Sequence, residues 1–398
     1  MVKGCRWLMV RLTIVLSFFC LGSEPIIYLV PFGHCGALDS DIFFSAFAEK
    51  SQVVNWDGFM VQHVMLKNTL TKLGYKFFTT FDPDNVEHRD VAQAFVFYNI
   101  SVDKFGKPFL LNRALRVPKS KLSVILWEPP IKPFVNNFNS SLQQRFGKVL
   151  TWDDELLDCK HFFKFYNDTR WMICDMKRDD SVPFEKKRLV AMVASIPYSV
   201  HPAELTSLRR RFIEYVDGVA DPNEFGLYGR GLEGCRYRCY RGAITKKCEG
   251  YRNFKFAVCY ENCRWSGYIS EKIFEGMMAG CVPIYYGAPN ITKYIPKGCF
   301  IDYADFGSEE KLYAYIKNMG KDEYMRYIKN IDLFLKSTKA HLFSLENWVD
   351  TFITTILGPY DLGIWDSDVR EEIKKLRLLR EELGGYRLHR NAFCMGDW

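Results

Sequence analysis

The chain has 398 residues, of which 48% are hydrophobic and 25% charged, as in a globular protein long enough for two domains. Its 54 basic and 47 acidic residues leave a net charge of +7 without any basic stripe along the chain. This composition excludes a disordered chain and argues against a nucleic-acid-binding protein. It suits phosphate-bearing small molecules or an anionic membrane surface, although an ordinary basic surface is the simpler explanation.

The first residues are typical of an export signal. Basic residues up to Arg11 precede an apolar run from Leu12 to Leu21, which is short for a bilayer crossing of about 20 residues. Gly22 fits a small-residue cleavage site. Residues 1–24 are therefore predicted to be a cleaved signal peptide or a short membrane anchor, and either one directs the chain into a secretory or export route.

Strands alternate with helices after this segment, which predicts a doubly wound α/β domain over residues 25–183. The apolar run Leu122–Trp127 ends at Glu128, so this carboxylate is expected at the carboxyl end of a strand, where such domains bind ligands. The stretch Lys177–Pro183 is the predicted linker. The predicted elements are helix Met60–Leu73 and strands Ile26–Val30, Tyr75–Phe81, Ala94–Ile100 and Leu122–Trp127.

A second α/β domain is predicted over residues 184–358, followed by a charged tail over 359–398. The tail contains a predicted helix, Asp368–Arg390, with few apolar positions. Such a helix lies on a membrane, pairs with another chain or, more often, is a solvated end. The elements predicted for the second domain are strands Leu189–Ala194 and Phe225–Tyr228 and helices Pro202–Val216, Ser308–Met319, Asp322–Leu335 and Leu345–Leu357.

The stretch 254–306 has the clearest features of a functional site. A buried strand, Phe254–Cys259, leads through a loop into a predicted helix, Glu271–Ala279, with Ser270 as its cap. The start of a helix after a strand binds anions, because its free N–H groups and its dipole face the loop. Lys272 opposes that dipole, which a bound phosphate would explain. The alternative is an ordinary strand-helix unit with a solvated lysine.

Four blocks in this stretch closely resemble the donor-binding signature of the α-1,3/4-fucosyltransferases, glycosyltransferase family ten. They are Tyr260-Glu261-Asn262, then Gly267 to Lys272, then Ala279 to Gly287, then Phe300 to Phe306. The resemblance extends more weakly back to about Ser123. It implies a GT-B fold, in which two Rossmann-like domains face each other across the active site. It also implies an inverting transfer of L-fucose from GDP-fucose to a glycan hydroxyl, with the 3-OH of GlcNAc as the expected acceptor.

The resemblance also implies roles for individual residues. Glu128 is the candidate base that deprotonates the acceptor, although a structural glutamate before Pro129 is the alternative. Arg209, three residues before Phe212, is the candidate phosphate-binding arginine, and Arg210 or Arg211 replaces it if the alignment slips. Consecutive helical residues point about 100° apart, so only one of the three arginines can face the cleft.

Four further residues are expected to contact the donor. Asn262 and Tyr268 match family positions that contact its phosphates or sugar, and Glu271 matches one that contacts the ribose or fucose hydroxyls. Lys272 is expected to hold the diphosphate with Arg209. Cys263 stands where relatives often have serine or threonine, which weakens the resemblance in that loop.

Two other patterns are judged to be coincidental. The glycines at 229, 231 and 234 match a dinucleotide-binding spacing, but no helical pattern follows them. The pairs Asp39/Asp41, Asp82/Asp84 and Asp366/Asp368 imitate the metal-binding motif of other glycosyltransferases, yet none follows a convincing strand of the donor domain. No obligatory cofactor or metal is therefore predicted, and a divalent cation is expected to be stimulatory at most.

Thirteen cysteines are many for a cytosolic protein and few for a disulfide scaffold. The spacing of Cys235, Cys239, Cys248, Cys259 and Cys263 suggests a zinc site, but Cys259 lies in a predicted buried strand. One or two disulfides are the favoured interpretation if the chain is lumenal. Four N-glycosylation sequons begin at Asn99, Asn139, Asn167 and Asn290, and about half that number is expected by chance.

The resemblance and the first residues together imply a location. A eukaryotic enzyme of this kind is expected in the Golgi membrane as a type II protein, and a bacterial one is expected to be exported or membrane-associated. The alternatives to a fucosyltransferase are an enzyme of the same fold that uses another nucleotide sugar, or a non-catalytic glycan-binding protein. GDP-fucose, a glycan or glycoprotein acceptor and the membrane are the expected partners, and nucleic acid is not.

Overall fold

The computed structural model describes residues 24–30, 61–80, 82–100, 115–132, 135–167 and 169–384, and these residues form two parallel sheets. The strands of the first sheet lie in the order β2-β1-β3-β4-β5-β6, with every neighbouring pair parallel. They are β1 (Ile26–Val30), β2 (Lys76–Thr79), β3 (Ala94–Tyr98), β4 (Leu122–Leu126), β5 (Lys148–Thr151) and β6 (Phe162–Lys164). Helices α1 (Val61–Lys72) and α2 (Ser140–Gln143) belong to this half of the chain.

The second sheet has the order β11-β10-β9-β7-β8 and is also parallel throughout. Its strands are β7 (Arg188–Val193), β8 (Phe225–Tyr228), β9 (Phe254–Tyr260), β10 (Val282–Tyr286) and β11 (Ile301–Asp302). Its helices are α3 (Thr206–Val219), α4 (Lys247–Tyr251), α5 (Glu271–Met278), α6 (Glu309–Asn318), α7 (Lys321–Leu335) and α8 (Thr338–His341). Two parallel sheets flanked by helices confirm the predicted α/β class.

The strand β9 lies in the middle of the second sheet because its sequence is apolar on both faces. Six of its seven residues are buried, and only Lys255 is partly exposed. A central parallel strand covered by helices on both sides needs such a continuous apolar run. The polar residues Glu261 and Asn262 therefore begin where the strand leaves the sheet, at its carboxyl end.

The helix α9 (Leu345–Ile356) crosses back to the first sheet, although its sequence was assigned to the second domain (184–358). Its Trp348, Phe352 and Ile353 pack with Ile27 of β1 and Leu66 of α1. All twelve residues of α9 are buried. A helix that is buried all round must be covered on several sides, and the first sheet covers the side that carries Trp348, Phe352 and Ile353.

The tail forms helix α10 (Ser367–Glu382), which is docked on the protein and is not the solvated end that its charge predicted. Arg377 and Arg380 each place a guanidinium nitrogen 2.6 Å from a carboxylate oxygen of Asp350 in α9. The Asp350 side chain is 0% exposed and that of Arg380 is 1% exposed. Two positions that look solvated by residue type are thus part of a buried ion-pair cluster. The remainder of the predicted helix, beyond residue 384, lies outside the described residues.

Loops at the carboxyl ends of both sheets contact each other. Asp154, just after β5, accepts hydrogen bonds from Asn290 Nδ2 at 2.6 Å and Tyr294 Oη at 2.7 Å. Gly267 lies so close to the first domain that a Cβ there would be 2.3 Å from the main-chain oxygen of Trp152. Its φ of +77° also favours glycine. The two domains therefore meet beside the predicted site.

The predicted leader or anchor falls on residues 1–23, which lie outside the described residues, apart from its last position, Glu24. Within the described part of the chain, the structure contains no helix of the length and apolarity that a membrane crossing requires.

Candidate active site

A cavity of about 310 Å³ lies at the carboxyl ends of β7, β8 and β9, beside the start of α5. Among its lining residues one side chain, Glu271, is acidic. Six are basic: Lys132, Arg170, Arg209, Arg230, Lys247 and Lys272. Lys132 belongs to the first domain, so both domains contribute to the wall. A cleft whose charged lining residues are mainly basic concentrates anionic ligands such as phosphates.

The start of α5 is built around Glu261, whose side chain is 0% exposed. One of its carboxylate oxygens accepts from the main-chain N–H of Ser270 and the other from the Ser270 hydroxyl, both at 2.7 Å. Ser270 stands at the predicted cap position, but its side chain makes no capping bond because the hydroxyl donates to Glu261. Glu261 thus fixes the position at which the helix begins.

Lys272 points into this site and not into bulk solvent, with 18% of its side chain exposed. Its Nζ donates to the Ser270 hydroxyl at 2.9 Å and lies 3.5 Å from a carboxylate oxygen of Glu261 and 3.5 Å from one of Glu271. These two carboxylates already account for a cation that opposes the helix dipole. The positive charge of Lys272 is therefore partly balanced within the protein, and a bound phosphate is not needed to explain its position.

Lys247, in the short helix α4, holds the other side of Glu271. Its Nζ donates to Glu271 at 2.9 Å and to both carboxylate oxygens of Glu275, at 2.9 and 3.1 Å. Burial works to raise the pKa of Glu271, but Lys247, Lys272 and Arg170 outweigh it and hold that pKa well below its ordinary value. Glu271 is therefore an anion at neutral pH.

Of the three consecutive arginines, Arg209 lines the cavity. Its guanidinium donates to the main-chain oxygen of Tyr260 at 2.6 Å and to Asn262 Oδ1 at 2.9 Å, and the residue is 3% exposed. Burial lowers the pKa of this guanidinium, and the negative charge of Glu261 opposes that shift. Arg210 donates to a main-chain oxygen at an exposed position, and Arg211 pairs with Glu309 with 63% of its side chain exposed.

Asn262 lines the cavity, whereas Tyr268 lies behind it. The Asn262 side chain bridges two neighbours, since it accepts from Arg209 and its Nδ2 donates to Tyr268 Oη at 3.4 Å. Tyr268 is 4% exposed and packs on Trp152 of the first domain with ring centroids 4.7 Å apart. Its contact with a donor therefore stays a prediction, while its packing between the domains is visible directly.

Glu128 follows β4 and is half-buried. Burial raises the pKa of its carboxyl above the ordinary value, and the charges of Lys132 and Lys272 oppose that shift. Glu128 is not itself among the residues that line the cavity, but Lys132 and Lys272, which are, lie near enough to influence its pKa. A carboxylate with a raised pKa beside a ligand cleft can act as a general base.

The glycine pattern at 229, 231 and 234 does not open a helix, because α4 begins only at Lys247. Gly229 nevertheless lines the cavity. A Cβ at this position would lie 2.0 Å from the main-chain oxygen of Ala194, so glycine allows the ends of β7 and β8 to approach closely.

No group of three or more His, Cys, Asp or Glu residues in the described part of the chain is placed to hold a metal ion. The cysteines at 235, 239, 248, 259 and 263, all within the described residues, therefore do not assemble into a zinc site. The Asp39/Asp41 pair lies outside the described residues. That no metal is obligatory remains a prediction.

Five contributors to the site were not predicted: Lys132, Arg170, Arg230, Lys247 and the buried Glu261. Glu261 follows a buried strand, as Glu128 does, and the same strand-end argument would have identified it. The four basic residues come from loops and a five-residue helix without a periodic pattern. Nothing in their local sequence separates them from surface lysines and arginines.

Residues 185–343 match the sequence model of glycosyltransferase family 10 (fucosyltransferase), C-terminal domain. An alpha-(1,4)-fucosyltransferase of Arabidopsis thaliana is 40% identical over 70 residues, which is 18% of this chain and 18% of that relative. An alpha-(1,3)-fucosyltransferase of Helicobacter pylori is 25% identical over 173 residues, which is 43% of this chain and 33% of that relative. The matched segments thus span about a fifth to a third of the length of these two curated relatives.

A crystal structure of an alpha1,3-fucosyltransferase with GDP superposes with a TM-score of 0.52 at 14% identity, covering 84% of this chain and 91% of that one. This similarity concerns the fold, and with the two parallel sheets it confirms the predicted GT-B architecture. The family match covers the second sheet, the cavity-lining Arg209, Asn262, Glu271 and Lys272, and the resembling blocks of sequence. Residues 185–343, less than half of the chain, are therefore similar to the fucosyltransferases of glycosyltransferase family 10.

Proposed function

We propose that this protein is an inverting α-1,3-fucosyltransferase that moves L-fucose from GDP-fucose to a glycan hydroxyl, the 3-OH of GlcNAc being the expected acceptor. The observation that carries this proposal is the cavity at the start of α5, with six basic side chains in its wall, two of which, Lys132 and Lys272, also influence the pKa of Glu128. A nucleotide sugar needs cations for its diphosphate and a base for the attacking hydroxyl. The cavity supplies the cations, and Glu128, near two of its lysines, is the proposed base.

The diphosphate is held by Arg209 and Lys272. Both are enclosed, and neither can leave the cavity without breaking its bonds to Tyr260 and Asn262, or to Ser270. Fixed cations stabilise the charge that develops on the departing GDP without having to reorganise during the reaction. Glu271, kept ionised by its lysine neighbours, accepts hydrogen bonds from sugar or ribose hydroxyls.

The transfer is a single displacement at the anomeric carbon. The acceptor oxygen forms a bond to that carbon while the bond to the phosphate oxygen breaks, and the bonding electrons leave with GDP. Glu128 takes the proton of the hydroxyl. Because attack and departure occur on opposite faces, the β-linkage of the donor becomes an α-linkage in the product. Burial raises the pKa of Glu128 and so makes its carboxylate a better proton acceptor.

The same proposal includes a location and a metal requirement. The amino-terminal segment is proposed to bring the chain into a secretory or export route, as a Golgi type II membrane protein in a eukaryote or as an exported or membrane-associated enzyme in a bacterium. Amino-terminal sequencing of the mature protein tests whether residues 1–22 remain attached. No metal is proposed for the chemistry, so activity is expected to persist in excess EDTA.

The decisive experiment is a transfer assay with radiolabelled GDP-fucose and two acceptors, N-acetyllactosamine and a chitobiose core. GDP-mannose and UDP-sugars serve as competing donors. Transfer from GDP-fucose alone is expected, together with thermal protection of the fold by GDP. Protection without any transfer would favour a glycan-binding protein, and transfer from another donor would favour a same-fold enzyme of different specificity. The absence of both transfer and protection would overturn the enzyme hypothesis.

A matched pair of variants tests the site itself. Arg209→Met removes a guanidinium that lines the cavity, and Arg211→Met removes one from the exposed face of the same helix. GDP protection is expected to disappear in the first variant and to persist in the second. Equal protection in both variants would mean that the diphosphate is held elsewhere.

A further inference from the structure

Two buried amide side chains form hydrogen bonds with the main chain at Glu128. Asn99, just after β3, is 5% exposed, and Asn137 is 1% exposed. Asn99 Oδ1 accepts three hydrogen bonds, each of 2.8 Å, from the N–H groups of Trp127 and Glu128 and from Asn137 Nδ2. Asn137 Nδ2 also donates to the main-chain oxygen of Glu128 at 2.8 Å. Both polar groups of the Glu128 peptide backbone are thus held by side chains.

These side-chain hydrogen bonds take the place of strand pairing at the point where the chain leaves the sheet. The ladder between β3 and β4 ends with Tyr98 opposite Ile125, so the N–H groups of residues 127 and 128 have passed beyond the strand pairing. A single amide oxygen accepts from both of them. Asn99 adopts φ +58°, a left-handed conformation that asparagine tolerates better than most residues. Asn137 is anchored in turn, because its Oδ1 accepts from the Ile100 N–H at 2.8 Å.

We propose that Asn99 and Asn137 are positioning residues that hold Glu128 in register with the donor cavity. The inference rests on the proposed function, in which Glu128 is the base. A base must lie within hydrogen-bonding reach of the proton it removes, and a displacement of about 1 Å can cost roughly 100-fold in rate. Strand β4 alone leaves Glu128 two residues beyond its last paired position, where the amide pair supplies the missing restraint.

The same contacts bear on whether the sequon at Asn99 is glycosylated. Its side-chain amide is enclosed, and its oxygen is fully engaged with the main chain. Attachment of a glycan would require this amide at the surface. Asn99 is therefore a structural residue of the site and not an acceptor of a glycan.

The test compares Asn99→Ala with Asn99→Asp. Aspartate keeps an oxygen for the N–H groups of residues 127 and 128 and accepts the left-handed backbone, whereas alanine loses both. We expect Asn99→Ala to lower kcat by about 10- to 100-fold and to leave GDP affinity within about twofold, because the donor contacts belong to the other domain. Asn99→Asp should recover most of the loss.

A merely structural role is separated by a double mutant and by a control. In the Glu128→Gln background, Asn99→Ala should have no further effect on residual turnover, because a base that has been removed cannot be misplaced. Asn347→Ala deletes another buried amide, which lies in α9 and donates to the main-chain oxygen of Leu342, just after α8. At equal folded fraction it should keep the wild-type kcat.

Several results would overturn the inference. Additive losses in the double mutant, a kcat for Asn99→Ala equal to the wild type, or failure of Asn99→Asp to recover activity would each do so. If Asn99→Ala does not fold, Asn137→Asp replaces it, since it keeps the oxygen for Ile100 and removes both donors. Its kcat should fall as sharply, and an unchanged kcat counts against the amide pair. Wild-type protein that transfers no fucose overturns the proposed function together with the inference.

Discussion

Replacement of Lys247 by methionine tests whether this residue neutralises two enclosed carboxylates. Its Nζ lies 2.9 Å from carboxylate oxygens of both Glu271 and Glu275, and the three side chains are 25%, 17% and 8% exposed. Methionine fills a similar volume but removes a cation that contacts both carboxylates, while Glu271 keeps its contact with Lys272. Removing one partner from a buried ion pair typically costs about 3–5 kcal/mol. Because Glu271 also contacts Lys272 and the cavity, we expect the loss to be near the lower end, about 3 kcal/mol.

The assay is urea-induced unfolding of purified protein at pH 7, with Lys247→Arg and Lys246→Met as controls. Lys246 is the exposed neighbour, so its replacement should leave the unfolding free energy unchanged. Lys247→Arg should recover part of the loss because it keeps the charge. GDP affinity should also fall in Lys247→Met, since the cavity loses a positive charge. Equal unfolding midpoints for Lys247→Met and Lys246→Met would refute the reasoning.

The pH dependence of this effect has a definite sign. The lysines and Arg170 hold the pKa of Glu271 below its ordinary value, despite burial. A carboxylate with a depressed pKa contributes stability that is present above the ordinary glutamate pKa of about 4.3 and is lost as the pH falls through the lower, folded-state value. The difference between wild type and Lys247→Met should therefore shrink below about pH 4.

Three further predictions concern other parts of the molecule. Glu128→Gln should abolish most fucose transfer while GDP binding persists. It should not lower stability in urea unfolding, because burial already disfavours the charged carboxylate. A parallel loss of GDP binding would mean that Glu128 has a structural role. Arg380→Met should lower the unfolding free energy by about 3–5 kcal/mol, because the buried negative charge of Asp350 loses one of its two arginine partners. The GDP affinity per folded molecule should be unchanged. A loss below about 1 kcal/mol in urea denaturation would contradict this prediction. Gly267→Ala should bring the new Cβ against the main-chain oxygen of Trp152 and disturb the contact between the domains. Both thermal stability and turnover should therefore fall. A melting temperature equal to that of the wild type would mean that the domains can move apart without a loss of stability.

The sequence predicted most elements of the two sheets because their signals are local. The strands at Ile26–Val30 and Phe225–Tyr228 have the predicted bounds, and α5 begins at the predicted Glu271. Apolar runs between turn residues need no distant partner to be recognised. The resemblance carried by residues 260–306 likewise depends on a contiguous stretch, which the family match over 185–343 includes.

The predictions that were wrong concern elements whose position depends on contacts between residues far apart in the chain. The helix α9 was assigned to the nearer domain, but it packs on the first sheet, more than two hundred residues earlier. The tail helix looked solvated because arginine is usually exposed, whereas Arg377 and Arg380 are neutralised by Asp350 in α9. Periodicity records which face of an element is apolar and does not specify which partner covers it.

The sequence by itself determined the α/β class, the resemblance to the fucosyltransferases and the position of Glu261 to Lys272 at the end of a strand, because these properties follow from short-range patterns. The tertiary structure decided which charges share the cavity: Arg209 and not its two neighbours, Lys247 between two glutamates, and Lys132 from the other domain. It also decided how Glu128 is held, by amides about 30 residues before and 9 residues after it. A side chain's charge state and direction depend on its neighbours in space, and folding brings those neighbours from distant parts of the chain.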